Sequence, residues 1–314
     1  PDTVSDTASI LEQKLSALSL REKIAQMIVS HSKGYSLDKS SEEYKRIQNL
    51  VVNEKVGGLI FFAGNSYQEA ELINDFQTQS RIPLLISADF ERGTRMRLED
   101  GSLFPNNMGL GATRNPNLAY SMGRIIAMEC RALGIHQNYA PVVDVNNNAN
   151  NPIINVRSFG EDPKLISEIA NAMIRGLQDG GVIATAKHFP GHGDTDIDSH
   201  SDLPVLNFGM DRLDSVELVP YYEAIENAVM SIMIAHLAFP AVENEPFVPA
   251  SLSAKLVNDL LINKMNYNGL IVTDALNMEG IKKHFTTEQV ALMSVNAGID
   301  LILMPQGEKI TIDA

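Results

Sequence analysis

Positions 187–200 read KHFPGHGDTDIDSH, and these fourteen residues hold Lys187, three histidines and the aspartates Asp194, Asp196 and Asp198. Nowhere else in the chain are titratable groups so dense. Pro190, Gly191 and Gly193 rule out a regular helix or central strand over 189–195, so a loop is expected there. It follows an apolar run at 182–186 (VIATA) that starts after Gly180 and Gly181, which makes Lys187 and His188 the last residues of a buried strand. Three readings fit such a loop. His188, His192 and His200 with the aspartates could hold a divalent metal. Alternatively, Asp198-Ser199-His200 could do acid/base work. In an extended loop residues two apart point the same way, so the carboxylate can hold one imidazole nitrogen, raise its pKa and leave the other nitrogen facing a substrate. The third reading is a solvated loop with no chemistry.

A second candidate is Asp274, which ends the apolar run at 270–273 in IVTDALNM. A carboxylate there suits a nucleophile for covalent catalysis, and it would also suit the cap of a following helix. Other polar residues also stand at the ends of apolar runs: Asp89 and Glu91 after LLISA, Asp144 in VVDV, and His236 after SIMIA.

The elements that must position these residues alternate regularly. Ser19 and Glu22 form a capping box between two N-terminal helices, and helices are expected over 41–55, over 66–79 from a Ser66/Glu69 cap, and after the pairs Asn115-Pro116 and Asp162-Pro163. Further helices are expected near 211–229, 251–265 and 287–297. Strands are expected at 59–62, 84–88, 138–145, 182–186, 231–235, 270–273 and 301–304, with an eighth near 26–30. Short β-rich runs alternating with helices call for a parallel sheet covered on both faces. Eight strands fit a single-domain (β/α)8 TIM-type barrel over 1–314, which would gather every polar strand end on one face. No GxGxxG follows a strand, which argues against a dinucleotide fold. A short last barrel helix is expected after Pro305.

KHFPGHGDTDIDSH resembles the signature loop of the family 3 glycoside hydrolases, in the β-N-acetylglucosaminidase branch related to bacterial muropeptide-recycling enzymes. IVTDALNM is similar to that family's nucleophile segment. The resemblance implies that Asp274 attacks the anomeric carbon, that His200 is the general acid/base and that Asp198 is its partner. It further implies that Arg157, in NVRSFG, grips the sugar beside Lys187 and His188, while Asp89 takes sugar hydroxyls. One departure is Arg92, in DFERGTRMR, where the family more often has glycine. The partner implied is a small carbohydrate containing N-acetylglucosamine, and no metal or cofactor is expected.

With 314 residues, 44% of them hydrophobic, the chain can bury a large core. Its 25 basic and 39 acidic residues give a net charge of −14, which argues against nucleic acid and anionic membranes as partners. No apolar run approaches a membrane span and no signal peptide is present, so the compartment stays open: periplasm or envelope if a leader was removed, cytoplasm otherwise. The lone Cys130 reads as a buried structural thiol. Two other functions remain in contention. A metal-dependent barrel hydrolase would use His188, His192, Asp194 and Asp198, although its customary His-x-His pair on the first strand is missing. The other is a sugar-binding barrel without catalysis. Glycines and few apolar anchors suggest that the loop over 189–200 is mobile and closes over the sugar.

Overall fold

In the computed structural model, which describes residues 4–35, 38–199, 202–243 and 247–314, eight parallel strands follow one another around a barrel with helices outside. The strands are β1 (Ile28–Gly34), β2 (Gly58–Gly64), β3 (Leu85–Ala88), β4 (Gln137–Asn138), β5 (Ile183–Phe189), β6 (Ser231–Ile234), β7 (Leu270–Thr273) and β8 (Ile302–Leu303). They pair in chain order, β8 returns beside β1, and a bridge between Val272 and Leu301 nearly closes the ring. This is the expected (β/α)8 architecture, and the eighth strand is β1. Among the described residues no helix is long and apolar enough to cross a membrane.

Local chemistry explains most boundaries. Ser19 and Glu22 form the expected capping box, and Asn115 and Asp162 each cap a helix that opens on proline. At Ser66 the structure corrects the sequence reading. Asn65 is the cap, because the Ser66 amide and hydroxyl are bonded to Asp100 instead. Glu69, expected in that cap, is 1% exposed and faces the barrel, where burial pushes its carboxyl up to about 8. The run expected as a strand over 138–145 is regular only at Gln137–Asn138. Pro141 has no amide hydrogen to give to a ladder, so pairing with β5 continues through single bonds, from Thr185 to Ala140 and from Val143 to Lys187. The last helix, Glu308–Asp313, is short, as expected. Cys130 is a free, buried thiol.

The core has two parts. A large shell of apolar side chains lies between strands and helices. A smaller cluster, including Val29, Ile60, Tyr139, Met233, Val272 and Leu303, fills the barrel interior and forms a floor beneath the polar strand ends.

Candidate active site

Strand β5 organises the site. Its last residues, Lys187 and His188, are 2% and 5% exposed, and the peptide bonds 187–188 and 189–190 are both cis. Lys187 Nζ lies 2.7 Å from Asp89 Oδ1 and 2.8 Å from Glu91 Oε1, which joins β5 to the end of β3. Glu91 also receives both arms of Arg157, at 2.6 and 3.0 Å, and Arg97 reaches Asp89 Oδ2 at 2.5 Å while lying over the Phe62 ring. Burial opposes the charge on Glu91, but Lys187 and Arg157 outweigh it and hold the carboxyl well below its usual range. The same contacts raise the pKa of Lys187 and of Arg157 against their own burial. Glu91, Lys187 and Arg157 are therefore ionised at neutral pH and fixed against one another.

His188 is held from two sides. Its Nδ1 is 2.7 Å from Asp144 Oδ2, and Arg157 Nη2 is 3.3 Å from its Nε2. Donation from Nδ1–H to the carboxylate leaves Nε2 to accept from the guanidinium, which sets the tautomer. Asp144, 1% exposed, also accepts from the amides of His188 and His192. Its carboxyl stays below the usual range because His188 and the His192 amide outweigh burial.

Asp274 stands at the end of β7, where its amide donates to Ile234 O and its Oδ1 accepts from Ala275 N at 2.7 Å. It caps no helix, since the next one starts at Glu279 behind Met278. Burial would raise its pKa, but the nearby His188 and His236, the Ala275 amide and Lys187 bring it down to about 2. Asp274, Asp89, Arg97, Arg157, Lys187 and His188 together line a hollow of about 210 Å³ with Tyr139 and Met233 below. Five of the expected site residues thus come together at the strand ends. A larger hollow, about 1220 Å³, opens at the opposite mouth beside Ile183, Met230 and Leu270, away from these groups.

Of the remaining expected residues, Asp198 is half-buried in the loop after β5, and His200 lies outside the described residues. The first part of that loop is anchored by polar contacts, which the expectation of few apolar anchors does not weigh. His192 is 2% exposed; its Nδ1 meets Thr195 Oγ1 at 3.0 Å and its Nε2 meets Ser199 Oγ at 2.9 Å. Burial, then the neighbouring His188, lower its pKa to about 4, so it is neutral. Asn151 donates to the His192 and Gly193 carbonyls, and Arg212 pairs with Asp194 and with the buried Glu217. Gly191, at φ +137°, lies against Glu217, and a Cβ on Gly193 would fall 1.7 Å from the Val145 carbonyl. These contacts also weigh against the metal reading. His188 Nε2 faces a guanidinium, both His192 nitrogens meet hydroxyls, and Asp194 is paired.

Sequence reasoning misses the roles of four residues. Arg97 was given no role, although it is the only arginine of DFERGTRMR that grips Asp89. Glu91 and Asp144 were noted only as strand-end carboxylates. Asn151 sits in the asparagine-rich run 146–151, whose composition suggests nothing more than a solvated loop.

Comparison with known proteins bears on the fold and the family. The pattern of the "Glycosyl hydrolase family 3 N terminal domain" matches residues 19–314. The beta-hexosaminidase A of Pseudoalteromonas piscicida is 36% identical over 282 residues, covering 82% of this chain and 47% of that protein. A beta-hexosaminidase of Methylobacillus flagellatus is 33% identical over 275 residues, covering 84% and 76%. The solved family 3 beta-N-acetylglucosaminidase of Paenibacillus sp. superposes with a TM-score of 0.88 at 41% identity, covering 95% of this chain and 57% of that one. The chain thus spans about half the length of the first of these relatives and of the solved structure.

Proposed function

Because the chain belongs to glycosyl hydrolase family 3, as its N-terminal domain type, we propose that it is a retaining β-N-acetylglucosaminidase that releases terminal β-linked N-acetylglucosamine from muropeptides or related oligosaccharides. The observation that carries this reading is Asp274: a carboxylate kept ionised in a hollow whose other polar walls are fixed donors and acceptors from β3, β5 and the segment carrying Arg157. The relatives' names support the choice of N-acetylhexosamine.

In the first step an Asp274 oxygen bonds to the anomeric carbon as the bond to the leaving oxygen breaks, and that oxygen takes a proton from His200. In the second, a water oxygen gives its proton to His200 and bonds to the same carbon, and the Asp274 carboxylate leaves. Both steps pass through an oxocarbenium-like state that an ionised carboxylate stabilises. Asp198 supports His200 as its partner in the family's manner. Asp89, Arg97, Arg157 and Lys187 hold ring hydroxyls with hydrogen-bonding groups whose rotamers are already fixed by one another, so little ordering is left for binding.

The test compares 4-nitrophenyl N-acetyl-β-glucosaminide with 4-nitrophenyl β-glucoside for the wild type and Asp274→Ala. Turnover of the first in preference to the second, lost in the variant without a fall in Tm, is expected. Near-normal turnover by a folded Asp274→Ala protein would remove the mechanism, and preference for the glucoside would remove the substrate assignment.

A further inference from the structure

Beside the Asp274 hollow lies a second one of about 250 Å³. The two share Asp89, Arg97 and Arg157 as a common wall, and the second is lined further by Glu91, Arg92, Asn106 and Asn107. Asp274, Lys187 and His188 line only the first hollow. The second hollow thus lies across the shared wall from Asp274.

The charge on this wall is unbalanced. Asp89 and Glu91 already answer three cations: Lys187 bridges the two carboxylates, Arg97 takes Asp89, and Arg157 takes Glu91 in a two-armed contact. Arg92 adds a fourth, and no carboxylate among the described residues pairs with it. Its backbone is pinned at both ends, with its amide on Met96 Sδ and its carbonyl accepting from Phe104 N. The residue is half-buried, so its charge is not simply lost to bulk water. In a chain of net charge −14, a local excess of positive charge beside a ligand hollow calls for an anion. Arginine also offers forked donors that match carboxylate, phosphate or sulfate oxygens.

Resting on the glycosidase reading above, we propose that this second hollow is a subsite for an anionic substituent of the glycan, with Arg92 as the residue that selects for it. The shared ligand chemistry is an oxyanion carried by the bound N-acetylglucosamine ring. A carboxylate on an ether at one hydroxyl and a sulfate or phosphate ester at another are alternative sources.

The test measures kcat/KM for 4-nitrophenyl N-acetyl-β-glucosaminide, its 6-sulfate, its 6-phosphate and its 3-O-lactyl ether, with wild type, Arg92→Gln and Arg92→Lys. The wild type should use at least one anionic glycoside at least as well as the neutral one. Arg92→Gln should lose about tenfold on that substrate through KM, equivalent to about 1.4 kcal/mol. The neutral substrate should be unaffected, and Arg92→Lys should recover part of the loss. Added salt should weaken the preference of the wild type and not that of Arg92→Gln. Which glycoside responds identifies the oxyanion. Equal effects of Arg92→Gln on neutral and anionic substrates, or no anionic glycoside turned over, would overturn the proposal while leaving the glycosidase reading intact. Failure of the wild type on the neutral glycoside would instead strike that reading.

Discussion

Replacing Glu91 by Gln removes one negative charge and little volume from the most tightly coupled part of the site. Glu91 is 3% exposed and touches the Lys187 ammonium at 2.8 Å and the Arg157 guanidinium at 2.6 and 3.0 Å. Losing one partner of a buried ion pair costs about 3–5 kcal/mol, because the other charge is left buried without compensation. At about 2.1 cal/mol/K per residue, the unfolding entropy of 314 residues is about 0.66 kcal/mol/K, so Tm should fall by about 5–8 °C. The fall should sit near the lower bound, since Lys187 keeps Asp89. The pH dependence carries a sign. The folded pKa of Glu91 lies below its ordinary value of 4.5, so its contribution is complete above that pH and is lost as pH falls through the folded pKa. Thermal unfolding followed by circular dichroism should give a wild-type-to-variant gap that is constant from pH 8 to about 5 and narrows below 4.5. A Tm change under about 2 °C at pH 7 would refute the reasoning, as would a gap that widens in acid. Because Arg157 loses its two-armed anchor, kcat/KM for an N-acetylglucosaminide should drop as well.

Glu69 should behave in the opposite way. Its folded pKa is raised from 4.5 to about 8, so the unfolded state ionises first and stability falls as pH rises between those values; Glu69→Gln should raise Tm at pH 8 and change it little at pH 4.5. Gly193→Ala forces a methyl group onto the Val145 carbonyl, one residue from Asp144, and should cost about 1–3 kcal/mol with a disproportionate loss of turnover; unchanged kcat/KM would mean that the loop after β5 does not need this close approach. His200→Ala should slow a disaccharide such as N-acetylglucosaminyl-N-acetylmuramic acid far more than the 4-nitrophenyl glycoside, because a good leaving group departs with little proton assistance. Asp198→Ala should be a milder version of the same, and equal losses on both substrates would pass the acid role to another group.

How much was legible in the sequence follows from where the information lies. The barrel could be read because parallel strands buried on both faces are short continuous apolar runs, and the polar residue that ends each run must then reach the same rim. Asp89, Lys187, His188 and Asp274 meet there for that reason, whereas Arg157 comes from the turn at Asn155–Arg157 between β4 and β5, and the roles given to all five rest on family resemblance. What stayed hidden depends on pairings between distant residues. Asn65 rather than Ser66 caps its helix because Asp100, far along the chain, takes both donors of Ser66. Both residue types suit a cap, so local preference could not choose between them. Asp144 lies 44 positions before His188, and only the adjacency of β4 and β5 makes it the group that fixes the imidazole. The loop looked mobile because its glycines were counted as freedom. In the fold Gly193 provides room for the Val145 carbonyl, and Gly191 lies against Glu217, so the same residues permit a close approach that holds the loop down. A glycine thus says that a side chain is absent, and only its neighbours in space decide whether that absence loosens the chain or lets it pack.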